Sequence, residues 1–337
     1  MDRRGFLQTS AAVAATAVAA AHANPRALGE GVPAGTAARR LGMAVAPGYE
    51  FAGFGAERLA KRLELAMAGR LSIERVADPA ASDLSFGDAR RHLALHPGFA
   101  YFAGLPGGDG LPPAAFCSWL ALGGGQLLWD DLGSVFGFKP LLVGHSSDGL
   151  GLWSNVRLTE VSDLSGLPVA AVGLAARVLA RLGAQPVEVA PPDLKAALAT
   201  GRVEAADGPA TAFDLRPLAH RLYQPGLHRG GVVLTLTVAR GLWHDLTPAE
   251  QAIFETCAAE EHRLAVAEAG LTAQLASDMV VGAKWPLRQA WPQPLVQAFD
   301  AAVRLLLDDV AEHDASCRRI AASYHAHRRL CGSLLSA

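Results

Sequence analysis

The chain has 337 residues, of which 51% are hydrophobic and only 18% charged, with a formal net charge of −2. That balance excludes a disordered chain and, having no basic surplus or Lys/Arg block, gives no nucleic-acid partner. The length suits two domains of ordinary size.

The first stretch, "MDRRGFLQTSAAVAATAVAAAHANP", reads as a leader. Arg3 and Arg4 form its positive end, Ala11 to Ala21 its apolar segment, and Ala21-His22-Ala23 a small-x-small cleavage site. Arg-Arg-Gly-Phe-Leu fits a twin-arginine signal, so residues 1–23 are expected to direct export and to be removed near Ala23. The apolar run is shorter than the roughly 20 residues a permanent span needs. The four cysteines are scattered, with no C-x-x-C, and their spacing gives no connectivity.

Beyond the leader the chain alternates. Leu41 to Ala46 predicts a strand. A helix follows whose face carries Leu59, Leu63, Leu65 and Ala66, and Gly69 ends it before a strand from Leu71 to Val76. "GLPGGDGLPP" is a loop, and helical spacing runs from Ala114 to about Gly133, with "LGGGQ" interrupting it. "KPLLVG" is a buried strand. "LPVAAVG", "LAARVLARLG", "QPVEVA", "PDLKAALATG" and "VEAADG" then read strand, helix, strand, helix, strand. That pattern predicts parallel strands with crossover helices, and ligand sites beyond the strands' carboxyl ends. "GVVLTLTVARGLW" is a strand returning to the first sheet. Thr247, Pro248 and Glu250 open a long helix through a capping box, with Ile253, Cys257, Leu264, Ala267, Leu271 and Leu275 on its apolar face. Two further helices fill Leu295 to Leu330.

Enzyme signatures are poor. "GHSSDG" lacks the G-x-S-x-G spacing of a nucleophile turn. "LGGGQ" lacks the Lys-Ser/Thr of a phosphate loop. His92 and His96 have a ligand spacing but no identifiable partners, so no metal and no cofactor is assigned. Trp119, Trp129 and Trp153 are core candidates, with Trp153 also near a lobe junction.

"FCSWLALGGGQLLWDDLGSVFGFKPLLVG" resembles the periplasmic solute-binding subunits of tripartite ATP-independent (TRAP) transporters, above all the branch that binds 2-oxo acids and related carboxylates. The resemblance continues through "LSGLPVAAVGLAARVLARLGAQPVEV", "DGPATAFDLRPLAHRLYQPGLHRGG" and "LTPAEQAIFETCAAEE". It implies an α/β, two-lobe periplasmic-binding-protein-like fold with parallel-rich sheets, a long lobe-spanning helix and a helical C-terminal tail. The division it implies is a first lobe over residues 24–148, a second over 149–230, a return with the long helix over 231–280, and a helical region over 281–337. It implies capture of a small organic acid by lobe closure in the periplasm and delivery to membrane permease subunits. The tail permits a homodimer through the C-terminal helices.

The ligand site departs from the family pattern. The arginine that holds the ligand carboxylate aligns with Ala170, and a glutamine of the cation-assisted site with Gly149. The Glu-Trp pair becomes Asp207-Gly208, the glutamate of Pro-Gly-Trp-His-Glu becomes Arg229, and a tyrosine pair becomes Arg90-Arg91. His228 keeps its place. Between "AGRL" and "HPGF" the chain is shorter, as though a helix near the cleft were missing. The candidate ligand-binding set is therefore Arg90, Arg91, Trp153, Asp207, Phe213, His228 and Arg229. Against it stand surface positions for the three arginines and a capping role for Asp207. Either one of these arginines replaces the lost one, or the cleft serves another small ligand or has lost transport function. An exported α/β enzyme and a non-transporting sensor paralogue are the competing classes.

Overall fold

The computed structural model describes residues 38–46, 53–79, 82–145, 151–208, 218–228, 231–281 and 287–335. The leader and positions Gly149, Phe213 and Arg229 lie outside them.

The first sheet starts as the apolar alternation dictates. Strand β1 (Arg39–Val45) leads through helix α1 (Gly53–Ala66) to β2 (Leu71–Val76) and β3 (Leu84–Asp88). Leu59 and Leu63, one turn apart, are buried, whereas Leu65 is 70% exposed. Two positions past Leu63 is the far side of a 3.6-residue turn, so Leu65 does not belong to the core face. Strand β1 lies between β2 and β3 and is parallel to both. A parallel connection ordinarily takes a dozen or more residues. The short link after Val76 suffices because β3 begins where β2 stops: Val76 pairs with Ala44, and Leu84 with Met43. Asp83 secures the step, its carboxylate accepting from the Gly42 amide at 2.9 Å. The shortened stretch in the sequence is thus bridged without a crossover helix.

After β3 come 3-10 turns over Ala89–Ala94 and Pro97–Phe102, then helices α2 (Pro113–Leu122) and α3 (Gly125–Val135), broken at Gly123–Gly124 as the glycine run predicts. Strand β4 (Phe138–His145) closes this half of the chain. The second sheet follows with β5 (Gly151–Ser154), β6 (Pro168–Ala170), helix α4 (Gly173–Arg181), β7 (Gln185–Val187), helix α5 (Leu194–Ala199), β8 (Ala205–Gly208) and β9 (Arg221–Gln224). Strands β7, β6 and β8 are mutually parallel, the consequence of their α4 and α5 crossovers. Strand β10 (Val233–Ala239) re-enters the first sheet between β3 and β4, antiparallel to both. Helices α6 (Arg240–Asp245) and α7 (Pro248–Val281), strand β11 (Leu287–Ala290) on the second sheet, and helices α8 (Gln293–His313) and α9 (Ala315–Leu335) complete the order.

Helix α7, 34 residues, is about 50 Å long at 1.5 Å per residue and packs on β4 and α1. Its buried face follows the expected one at Ile253 and Cys257 but then turns to polar residues. Phe254, Cys257 and Ala258 are buried together with Glu261 and His262, while Leu271 is 55% exposed. Partners on facing elements supply the reason: Arg58 meets Glu261 and His145 meets His262, so polar side chains fill core positions. The capping box is present, with Thr247 Oγ1 accepting from the Glu250 amide and Glu250 accepting from the Thr247 amide. Thr247→Ala is expected to cost about 1 kcal/mol, read as a lower urea midpoint with unchanged slope.

One continuous core joins the second sheet (Leu152, Val169, Ala205) through α4 to the aromatic layer and the C-terminal helices. In that layer the Phe102 ring stacks 5.0 Å from Trp129 and 5.1 Å from Trp119. A second cluster fills the space between the first sheet, α1 and α7, and a third lies under α5 around Trp153. All four cysteines are free.

Candidate functional site

Parallel strands leave loops and helix starts at their carboxyl ends, and these ends carry the polar groups here. On the first sheet β3 ends at Asp88, whose carboxylate accepts from the Arg90 amide at 2.7 Å and from Arg90 Nε at 2.5 Å. This short loop orients the Arg90 guanidinium. On the second sheet β6 ends at Ala170 and opens α4, and β8 carries Asp207 as its last residue but one. Gly173, at the first turn of α4, has φ +63, and a Cβ there would lie 3.2 Å from Arg90 Cδ. Arg90, borne by the first sheet, therefore lies against the start of a helix borne by the second. Among the described residues no side chain caps that helix start, where backbone N–H groups favour anions.

Asp207 faces His228, with carboxylate oxygen and Nε2 3.9 Å apart. His228 is oriented by its other nitrogen, Nδ1, 3.3 Å from the Gly104 carbonyl. Gly104 has φ +85, and a Cβ there would meet the Gly231 carbonyl at 2.3 Å, so only glycine lets the two loops approach this closely. Burial pushes the Asp207 carboxyl up, opposed by His228 and Arg90, and burial pushes the His228 imidazole down. Nε2 of His228 is buried without a hydrogen-bond partner among the described residues. The arrangement is an arginine side chain and a helix start on one side and a buried carboxyl facing an imidazole, too far apart for a hydrogen bond, on the other.

The structure brings Arg90, Asp207 and His228 together. Arg91 turns the other way: its guanidinium donates to the Ser85 carbonyl at 2.9 Å and lies by Thr235 and Thr237, bracing the first sheet. Trp153 is fully buried in the core beneath α5, among Ala170, Ala206 and Leu222. Asp88, Gly104 and the start of α4 were missed from sequence. Only Asp88 left a signal there, as an acid closing a strand two residues before a pair of arginines. An apolar pocket bordered by Leu179, Trp291, Leu295 and Phe299 is distinct from this cluster.

Two other histidines define a pH response rather than a site. His92 is stacked 4.7 Å from Phe138, and His145 shares a 3.0 Å contact with His262. Burial is the main cause that holds each of His92 and His145 down to about 3. A folded-state value below the ordinary 6.5 means their stabilising contribution is complete above pH 6.5 and is lost as pH falls from there toward 3. Folding stability is expected to fall by about 2 kcal/mol for each histidine between pH 7 and 5, read as a lower melting temperature, and His145→Gln should flatten that slope.

The family model for bacterial extracellular solute-binding proteins, family 7 (DctP), matches residues 122–313. A monocarboxylate 2-oxoacid-binding periplasmic protein of Nostoc sp. is 26% identical over 250 residues, which cover 71% of this chain and 66% of that relative's length. A TRAP periplasmic solute-binding protein of Colwellia psychrerythraea, solved with calcium and pyruvate, superposes with a TM-score of 0.80 at 20% identity, covering 88% of this chain and 96% of the other. A TRAP solute-binding protein of Bordetella bronchiseptica, with calcium and picolinate, gives 0.81 at 21% identity, covering 90% and 95%. The fold is theirs, and with more than half its length matched the chain belongs to the family 7 (DctP) extracellular solute-binding proteins.

Proposed function

We propose that the protein is a periplasmic solute-binding subunit of a TRAP transporter that captures a small organic acid between its two sheets and passes it to membrane permease subunits. The observation that carries this reading is the approach of the Arg90 side chain, borne by one sheet, to the first turn of α4 on the other, with Arg90 Cδ beside Gly173. A carboxylate held there would accept from both, and its capture would draw the two halves together. Asp207 and His228 would take the ligand's oxo or hydroxyl group. Lobes over 24–148 with 231–280 and over 149–230, a helical region over 281–337, a leader cleaved near Ala23, and pairing of two copies through α8 and α9 belong to the same proposal.

The described residues do not assemble a donor set for the relatives' calcium. Calcium takes six to eight oxygen ligands. Around Asp207 the described charged and titratable groups are the His228 imidazole nitrogen and the Arg90 cation. That donor set does not fit the ion, and a carboxyl pushed toward its protonated form can itself donate to an oxo group. Calorimetry with 2-oxo and hydroxy monocarboxylates, run in EDTA and again with calcium, tests the proposal. Binding in EDTA that calcium leaves unchanged is expected. Absence of heat and of thermal stabilisation across the panel in both conditions would overturn it.

A further inference from the structure

His96 and His92 share a ligand-like spacing, but the fold separates their roles. His92 is buried against Phe99 and Phe138, whereas His96 meets the junction of the two C-terminal helices. There α8 ends at His313 and Asp314 precedes α9. His96 Nε2 lies 2.8 Å from Asp314 Oδ2, the His96 and His313 ring centroids are 5.2 Å apart, and one ligand atom from each residue lies within 4.8 Å of the others. Two imidazoles and a carboxylate at this separation are a zinc-type donor set.

We propose that His96, His313 and Asp314 form a binding site for one divalent first-row cation of the zinc class, tying the 3-10 turn over Pro97–Phe102 to the α8–α9 junction. The site is separate from the ligand cluster and needs no part of it. Bonds of about 2.0–2.1 Å in a tetrahedron put ligand atoms about 3.4 Å apart. His96 Nε2 and Asp314 Oδ2, 2.8 Å apart, need to separate by only about 0.6 Å to reach it. His313 is exposed, so a rotamer change brings it in, and water fills the fourth position.

The second positions of two ligands are fixed by the fold. Asp314 Oδ1 accepts from the Cys317 amide at 2.7 Å, which orients the carboxylate while leaving Oδ2 for the metal. His96 Nδ1 accepts from the Gly98 amide at 3.1 Å, which requires the proton on Nε2, directed at Asp314. Metal binding at Nε2 moves that proton to Nδ1. The Gly98 contact then gives way, and Nδ1–H turns to Cys317 Sγ, 3.9 Å distant. No proton is gained or lost at His96. The cost of the broken contact makes this a weaker site than one built with the proton already on Nδ1.

The test is zinc titration by calorimetry on EDTA-stripped full chain carrying Cys117→Ser and Cys331→Ser, which remove the partly exposed thiols. One equivalent is expected to bind and raise Tm. His313→Ala, at an exposed helix end where folding is undisturbed, should weaken binding by roughly tenfold or more and abolish the Tm shift, since even loss of a second-shell partner costs that much. Cobalt should give the visible bands of a four-coordinate site without thiolate charge transfer. No binding, or binding that His313→Ala leaves intact, would overturn the site. Because the readout is zinc and not the organic acid, its failure leaves the carrier function untouched.

Discussion

Arg90→Ala is expected to weaken organic-acid affinity about ten- to a hundredfold and also to lower the melting temperature, because it removes a cation paired with the nearly buried Asp88 carboxylate. A hydrogen bond to a charged group contributes about 1.5–3 kcal/mol, and each 1.4 kcal/mol is tenfold in affinity. The position of the family arginine is held by Ala170, buried in the second sheet, so its charge has to come from elsewhere. Arg90 is placed to supply it from the opposite half, beside the start of α4. The loss would be compounded by Asp88, whose carboxylate is paired with Arg90 at 2.5 Å and would face the ligand anion uncompensated. Arg90→Lys should recover part of the affinity, since it restores charge but not the two-pronged fork. Arg91→Ala separates the two neighbours: Arg91 contacts Ser85, His92, Thr235 and Thr237 rather than Asp207 or His228, so its loss should lower stability and spare binding. Calorimetry that finds equal affinity for wild type and Arg90→Ala would remove Arg90 from the site.

The alternation of apolar runs with glycine-terminated helices made the strand–helix–strand order of the second sheet legible, as it did the capping box and the two tail helices. Those features are local, set by periodicity and end signals within a few residues. What was not legible depends on partners far along the chain. Strand β3, "LSFGD", has no long apolar run, and its identity comes from β1 and β10 on either side. The polar part of the buried face of α7 could not be read because Glu261 and His262 look like surface residues until Arg58 and His145 are placed against them. At the site, Arg90 and Asp207 could be nominated by their departures from a family pattern and His228 by keeping its place in it. Their selection over Arg91 came only from geometry, since adjacent arginines in a 3-10 turn point apart. Trp153, chosen for its place near a lobe junction, belongs to the inner packing beneath α5.

The largest stability effect is expected from Arg58→Ala. Arg58 spans α1 and α7, binding Glu261 through Nε at 2.8 Å and Nη2 at 2.5 Å, and reaching Glu268 as well. The Glu261 side chain is 1% exposed, and its second nearby cation, Arg62, is 3.7 Å away. Removing one partner of a buried pair costs about 3–5 kcal/mol because the other charge is left behind, and the partial exposure of Arg58 favours the lower end. About 3 kcal/mol corresponds to a Tm lower by roughly 6–12 °C at about 2–4 °C per kcal/mol. Burial pushes the Glu261 carboxyl up while Arg58 opposes it, so without Arg58 the acid escapes its isolation by taking a proton. A carboxyl whose folded-state value is raised loses stability as pH rises, so the deficit of the variant should be larger at pH 8 than at pH 5. Arg58→Met combined with Glu261→Leu removes both charges at similar volume and should regain most of the loss. Organic-acid affinity should be unchanged in either variant, because this pair lies on the α1–α7 face of the first sheet. Equal melting of Arg58→Ala and wild type across that pH range would show that Glu261 is neutral in the native fold and that the pair contributes nothing.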